Sequence, residues 1–132
     1  MIIWDETMST GLPDIDAQHK EIVGKFNQLS ESLGGQKALE TTGEILDFLQ
    51  FYAVWHFERE ENCMTIYQCP VAEQNKQAHA EFIAKFNRFY EQWQESAMTP
   101  ELAQRTFSEL ESWIENHIRG IDVQLRSCVQ SE

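Results

Sequence analysis

Basic residues, glycine, proline and cysteine are all scarce in this chain of 132 residues. The 10 Lys and Arg residues are outnumbered by 22 Asp and Glu residues, which gives a net charge of −12. A nucleic-acid-binding protein needs a basic face for the phosphates, and anionic membranes attract basic segments. We therefore expect neither a nucleic acid nor a membrane as a partner. An acidic surface of this kind is most often a means of staying soluble.

Only 6 Gly and 3 Pro interrupt the chain, which favours long helices over a turn-rich sandwich or barrel. No apolar run approaches the roughly 20 residues of a membrane span, and the first residues do not resemble a signal peptide. The 3 cysteines, Cys63, Cys69 and Cys128, are odd in number and lack a tight zinc-binding spacing. We therefore expect unpaired thiols in a reducing cytoplasm.

The sequence is rich in amphipathic stretches, in which apolar residues recur at three- and four-residue steps. This period predicts a single domain over residues 1–132, with an extended arm over 1–15 and helices over about 16–32, 38–66, 71–95 and 100–129. Thr99 and Pro100 have the residue types of an N-cap and a first helical position. Four long helices with short loops predict an all-α fold, an antiparallel up-down-up-down four-helix bundle.

Histidine is rare, and its positions are informative. The chain has 4 histidines, and one lies on each predicted helix: His19, His56, His79 and His117. All of them fall on or beside the apolar stripe, so all should point into the bundle. One inward histidine is usually a hydrogen-bonded core residue, whereas four that converge indicate a bound metal.

Two carboxylates accompany these histidines. Glu60 follows His56 by four residues, about 40° of helical rotation, so the two share a face. A solvated Glu60 among its acidic neighbours explains that spacing equally well. Asp122 follows His117 by five residues, about 140° in a regular helix, which is poor geometry for one site. We therefore predict a π-type turn near Gly120 that returns Asp122 to the bundle interior.

Four motifs occur in order: Asp16-Ala17-Gln18-His19, His56-Phe57-x-x-Glu60-Glu61-x-x-Met64, His79-Ala80-Glu81-Phe82 and Trp113-x-x-x-His117-Ile118-x-Gly120-x-Asp122. Together they resemble the hemerythrin family, in its bacterial single-domain form, over nearly the whole chain. The resemblance implies two non-haem irons with an oxo or hydroxo bridge, and O₂ as their ligand. It also implies three roles: His19 and His56 on the O₂-binding iron, His79 and His117 on the other iron, and Glu60 and Asp122 as bridging carboxylates.

One position departs from the family pattern. The family carries a second histidine four residues before the one that matches His79, and this chain has Asn75 there. An amide oxygen is a weaker ligand than an imidazole. Asn75 or a water could still complete a di-iron centre, the second iron could be lost, or the extra open position could create an oxidase-like centre. We favour the first outcome, because the two carboxylates and the other imidazoles remain.

Two functions follow from the resemblance. The first is O₂ storage, delivery or sensing, where sensing would need a separate signalling partner. The second is a di-iron enzyme with oxidase, peroxidase or NO-handling activity. By spacing, the walls of an O₂ pocket would be Ile22, Phe57, Trp113 and Ile114, although plain core packing explains each of them as well. A metal-free structural bundle is disfavoured, because it would bury these imidazoles and carboxylates without a cation.

Overall fold

The fold is described by a computed structural model that covers residues 2–34, 39–95 and 99–130. Four long helices are followed by a short one: α1 (Pro13–Gly34), α2 (Leu39–Ile66), α3 (Ala72–Gln94), α4 (Pro100–Gly120) and α5 (Leu125–Gln130). Helix α1 packs against α2 and α4, and α3 packs against the same two helices. The described ranges contain no strand, so the predicted all-α four-helix bundle is confirmed. Within these ranges, no helix is both long and apolar enough to cross a membrane.

The interior of the bundle is built largely from aromatic rings. Phe26 of α1 lies against Phe107 of α4 with ring centroids 5.6 Å apart, and Phe57 of α2 lies against Phe82 of α3 at 5.8 Å. Each fully buried side chain of this size contributes roughly 1.5–3 kcal/mol to stability. Because these rings interlock across opposite pairs of helices, they hold the helices in a defined register.

The N-terminal arm is attached to α1 by specific hydrogen bonds. Ile2 is buried, and its backbone N–H and C=O both bond to the side-chain amide of Asn27, at 2.9 Å each. Asp16, in the first turn of α1, accepts hydrogen bonds from the Thr10 N–H and the Ser9 hydroxyl, both at 2.7 Å. The arm therefore covers the part of α1 that carries His19.

Helix boundaries differ from the expected ones at both ends of the chain. Helix α1 begins at Pro13 rather than near residue 16, because proline suits the first helical position, where no N–H is needed. A 3-10 turn, Glu6–Met8, lies within the arm. The last expected helix is broken: α4 ends at Gly120, and α5 is a separate element. The predicted N-cap at Thr99 is confirmed, since its hydroxyl accepts from the Leu102 N–H.

The turn between α2 and α3 has a Schellman geometry. Gln68 is left-handed, with φ 55°, and its N–H donates to the Thr65 carbonyl at 3.1 Å. The Cys69 N–H reaches back to the Met64 carbonyl at 2.9 Å. This pattern turns the residue after the left-handed position back towards the last helical turn. Cys69 consequently packs in a small apolar cluster with Met64 and with Leu125 of α5.

Cys69 and Cys128 form a disulfide, with their Cα atoms 5.7 Å apart, and Cys63 is a free thiol. The expectation of unpaired thiols is therefore wrong for two of the three cysteines. Their 59-residue separation hides a contact that only the packing of α5 on the α2–α3 turn creates. The cytoplasmic location stays a prediction, and it loses one supporting argument because disulfides are rare in reducing compartments.

Removal of the disulfide should destabilise the protein measurably. Cys128→Ser is expected to lower the free energy of unfolding by about 2–4 kcal/mol, because the cross-link restricts a long loop in the unfolded chain. Urea unfolding of the oxidised wild type and of the variant measures the difference. Cys63→Ser is the control, since it leaves the cross-link intact. Equal unfolding midpoints for wild type and Cys128→Ser would contradict the prediction.

Candidate metal centre

Each long helix buries one histidine. His19, His56 and His79 are 1% exposed, and His117 is 5% exposed. The imidazoles lie on the apolar stripes of their helices, so the packing that buries the stripes also buries the rings. Glu60 and Asp122 are 0% and 1% exposed, which decides against a solvated Glu60.

Glu60 turns one carboxylate oxygen towards two histidines and the other oxygen towards a third. Its Oε2 lies 2.8 Å from His19 Nε2 and 3.4 Å from His56 Nε2. Its Oε1 lies 3.1 Å from His79 Nε2. The carboxylate of Glu60 therefore faces α1 and α2 with one oxygen and α3 with the other.

Asp122, in the turn that follows α4, also turns its two oxygens towards different histidines. Its Oδ2 lies 3.1 Å from His19 Nε2, and its Oδ1 lies 3.0 Å from His117 Nε2. The Nε2 atoms of His79 and His117 are 3.1 Å apart. Among the described residues, two groups of side chains have ligand atoms close enough for a metal: His19, His56 and Glu60; and Glu60, His79, His117 and Asp122.

Asp122 reaches the interior through a break in the helix rather than a bulge. The last α-helical hydrogen bond of α4 runs from Ile121 N–H to the His117 carbonyl at 2.8 Å. A 3-10 turn, Asp122–Gln124, then follows. The predicted π-type turn is therefore wrong, although the departure from the regular helix does occur at Gly120. Ending the helix frees the backbone at Ile121, with φ −109° and ψ −53°, to redirect the next side chain inward.

Two histidines have side-chain partners on their outer nitrogen. His56 Nδ1 lies 2.6 Å from Gln18 Oε1, and His79 Nδ1 lies 2.9 Å from Glu61 Oε2. A partner at Nδ1 fixes the tautomer and leaves the Nε2 lone pair facing inward, where a metal would bind. In the sequence, Gln18 and Glu61 stand out only as parts of motifs. Their position next to His19 and Glu60 was the signal that could have identified them.

The carboxylates control the protonation of the cluster. Burial alone would lower the pKa of His19, but hydrogen bonds to Asp122 and Glu60 outweigh it and raise the pKa to about 10. Burial would raise the pKa of Glu60, yet hydrogen bonds from His19 and His79, together with the neighbouring imidazole of His56, hold it well below 4.5. Burial lowers the pKa of His56 despite the attraction of Glu60. The cluster thus combines a carboxylate that stays ionised, Glu60, with imidazoles whose pKa values are shifted in opposite directions.

Several buried atoms in the cluster make no hydrogen bond. They are His19 Nδ1, His56 Nε2, Asn75 Oδ1 and Asp122 Oδ1, although Asp122 Oδ1 lies 3.0 Å from His117 Nε2. An unsatisfied buried polar atom costs about 1–3 kcal/mol, so native proteins seldom keep several of them together. Cations bound in the two ligand groups would satisfy the lone pairs of His56 Nε2, Asp122 Oδ1 and Asn75 Oδ1. Imidazole and carboxylate together form a donor set that suits non-haem iron, so the residues present fit such a metal.

Asn75 lies inside this cluster, one helical turn before His79. It is 0% exposed, and its Nδ2 donates to Glu60 Oε1 at 3.1 Å. It therefore shares the Glu60 oxygen that also faces His79. The amide oxygen is left without a partner on the side of the cluster formed by α3 and α4.

The expected pocket residues are buried or half-buried in the same core cluster. The ring of Phe57 stacks on His79 with centroids 3.8 Å apart and planes at 8°, and Trp113 stacks on His117 at 4.7 Å and 10°. Ile22 and Ile114 are fully buried beside them in the core. Two of the four therefore cover His79 and His117 rather than His19 and His56, and an O₂ pocket stays a prediction.

A helical bundle that buries an imidazole from each helix, together with two shared carboxylates, defines a four-helix metal-binding protein. The family model for the Hemerythrin HHE cation binding domain matches residues 10–125. The chain belongs to this family.

Known relatives support this assignment over most of the chain. The bacteriohemerythrin of Stenotrophomonas maltophilia (strain R551-3) is 26% identical over 122 residues, which is 92% of this chain and 77% of the relative. The myohemerythrin of Riftia pachyptila is 22% identical over 124 residues, 94% of this chain and 90% of the relative. A crystal structure of wild-type hemerythrin has the same fold, with a TM-score of 0.85, 23% identity and 98% of both chains covered.

Folding of the metal-free protein raises the pKa of His19 from 6.5 to about 10. The metal-free protein should therefore lose stability as the pH rises through this interval. In this interval the folded state holds a proton that the unfolded state releases, so alkali favours unfolding. The pKa of His79 is also raised, which adds in the same direction.

Urea unfolding of chelator-treated protein at several pH values measures this effect. The midpoint should fall between about pH 7 and pH 9 in the wild type and change less in His19→Gln, which lacks the titrating group. A wild-type midpoint that stays constant over this range would contradict the prediction.

Proposed function

We propose that this protein holds two non-haem iron ions in the buried cluster and binds O₂ there. One observation carries the proposal: each buried carboxylate presents one oxygen to each of two histidine groups. A carboxylate shared in this way is the arrangement that two neighbouring cations require. Membership of a cation-binding family is consistent with it.

The ligand assignment follows from the distances. His19 and His56 share Glu60 Oε2 and would hold the O₂-binding iron. His79 and His117 lie on the other side and would hold the second iron. Glu60 and Asp122 would bridge the two metals alongside an oxo or hydroxo group, because both reach both sides.

Asn75 would complete the coordination of the second iron, either through its amide oxygen or through a water molecule. Without a metal, the amide nitrogen donates a hydrogen bond to Glu60 Oε1. A bound metal would coordinate this oxygen instead. The amide oxygen is the ligating atom that Asn75 offers, and it is buried without a competing donor. Carbonyl-type oxygen is a weaker ligand for iron than imidazole, so this side of the centre would be the more labile.

When bound, a ferrous pair supplies an open coordination position for O₂ and one electron from each metal. The protein provides the surroundings. Phe57 and Trp113 stack on His79 and His117 and keep water from one side of the cluster. Gln18 and Glu61 hold the outer histidine nitrogens, so the inner lone pairs face the centre. We propose O₂ storage, delivery or sensing in the cytoplasm as the role.

Iron content and O₂ binding test the proposal together. Protein loaded anaerobically with ferrous iron and desalted should keep about two irons per chain, as this imidazole and carboxylate set allows. Exposure to O₂ should then give a charge-transfer absorption that disappears when O₂ is removed. Glu60→Gln should retain less than one iron, because both ligand groups share this side chain.

Glu58→Gln is the matched control, since it makes the same charge change on an exposed position of the same helix. It should keep the iron content and the spectrum of the wild type. A wild type that retains one iron or none, or a Glu60→Gln variant that retains two, would contradict the di-iron proposal.

A second candidate function rests on Asn75 alone. With a weak ligand on one iron, a substrate could reach an open position there, and the centre would act as an oxidase, a peroxidase or an NO-handling enzyme. The burial of the Asn75 amide and its hydrogen bond to Glu60 support this candidate, because they bring the amide next to the shared carboxylate.

Asn75→His separates the two functions. If the protein is an O₂ carrier, wild type and variant should both form the oxygenated species, with lifetimes that differ by less than about tenfold, or ~1.4 kcal/mol in the barrier to autoxidation. If it is an enzyme, the variant should lose peroxide or NO turnover and gain a long-lived oxygenated form. Stopped-flow absorption and turnover assays on both iron-loaded proteins measure the difference.

A further inference from the structure

The outer nitrogens of two inward-facing histidines have chemically different partners. Gln18, a neutral amide, accepts at His56 Nδ1 at 2.6 Å. Glu61, a carboxylate, accepts at His79 Nδ1 at 2.9 Å. His56 belongs to the first ligand group and His79 to the second. The residue behind the ligand is therefore neutral in the first group and negatively charged in the second.

This difference changes the strength of a ligand. A partner of either kind orients the imidazole and fixes its tautomer, but a carboxylate also draws the Nδ1 proton towards itself. The ring then carries more electron density at Nε2, which makes that nitrogen a stronger donor to a metal. His79 is therefore the better donor of these two imidazoles.

Glu61 is well placed to have this effect. Its side chain is only 24% exposed, and in the described ranges it forms an ion pair with His79 alone. No lysine or arginine within those ranges pairs with it and neutralises its charge. Phe57 stacks on the face of the His79 ring, so the ring would stay in place if the charge of Glu61 were removed.

The carboxylate lies on the side of the cluster that lacks an imidazole. His79 and Asn75 both approach Glu60 Oε1, His79 through Nε2 and Asn75 through its amide nitrogen, each at 3.1 Å. Asn75, the weakest donor of the cluster, and His79, the strengthened histidine, would therefore bind the same metal ion. The first group has no such weak donor, and the outer nitrogen of its His56 is bonded only to the neutral amide of Gln18.

We infer that Glu61 is a positioning residue that strengthens His79 as a ligand, and that it thereby helps to retain the second iron despite Asn75. This inference rests on the proposed di-iron function. It assigns a role to a residue outside both ligand groups. It also explains how a site with an amide in place of an imidazole can still hold a metal.

Glu61→Gln is the direct test, because it keeps the hydrogen-bonding shape and removes the charge. The variant should bind one iron about 10- to 100-fold more weakly, the usual effect of losing a partner behind a ligand. The other iron should keep its affinity. Chelator competition on ferrous-loaded protein measures both affinities, and Mössbauer spectra identify which iron is lost. The reduction potential of the affected iron should rise, an electronic change that a purely structural defect would not produce.

Two further variants make the test specific. Glu58→Gln removes the same charge from an exposed position and should change neither affinity. Gln18→Glu should strengthen the first iron and leave the second unchanged. Asn75→His combined with Glu61→Gln should show rescue: the loss from Glu61→Gln should be smaller in the Asn75→His background than in the wild type, since neighbouring sites in one network are not additive.

The outcomes separate the two levels of the argument. Wild type with fewer than two irons overturns the proposed function and this inference with it. Wild type with two irons, together with equal affinities in Glu61→Gln, overturns the inference alone. Equal loss of both irons in Glu61→Gln, or an additive result in the combined variant, also overturns it. If Glu61→Gln fails to fold, as judged by circular dichroism, an unchanged first iron in Gln18→Glu overturns the inference.

Discussion

The burial of two carboxylates in an aromatic and aliphatic bundle is the constraint on which the rest of this structure depends. Glu60 and Asp122 are almost completely inaccessible. An isolated buried charge costs several kcal/mol, so each carboxylate needs partners that supply positive charge or hydrogen bonds. Four imidazoles, one from each long helix, surround them. Protons meet this need in the metal-free chain, and cations would meet it better, because several lone pairs in the cluster have no donor.

The fold is arranged to keep these partners within reach. Aromatic rings interlock across the bundle and hold the helices in register, so imidazoles from four helices meet at one place. The chain leaves α4 at Gly120 and thereby turns Asp122 inward. The segment after it is secured to the α2–α3 turn by the Cys69–Cys128 disulfide and by Leu125. Arg126 of the same segment also donates a hydrogen bond to the Ser9 carbonyl of the N-terminal arm. The position of the second carboxylate thus depends on how this short segment packs.

The two halves of the cluster are alike in their shared carboxylates and unlike in their surroundings. Asn75 weakens the donor set on the side of α3 and α4, whereas Glu61 adds a negative charge behind His79 on that same side. On the side of α1 and α2 an amide, Gln18, takes the corresponding place. Donor strength is therefore distributed over two layers of side chains. If the direct ligands alone were considered, the side of α3 and α4 would lack one imidazole with nothing to offset it.

The sequence by itself determined the bundle and the convergence of the histidines, because helical periodicity decides which residues share a face and a buried stripe carries its imidazole inward. Spacing also placed Glu60 beside His56, but only the covering helices decided that it is buried. The backbone conformation that brings Asp122 inward was not determined by the sequence. The predicted π-type turn is wrong, because a helix can end in several conformations and the packing of α5 selects one. The Cys69–Cys128 pair was out of reach, since contacts between distant elements depend on their relative placement and not on local pattern. Gln18 and Glu61 stand next to His19 and Glu60 in the sequence, but only the packing of the helices decided which histidine each of them contacts.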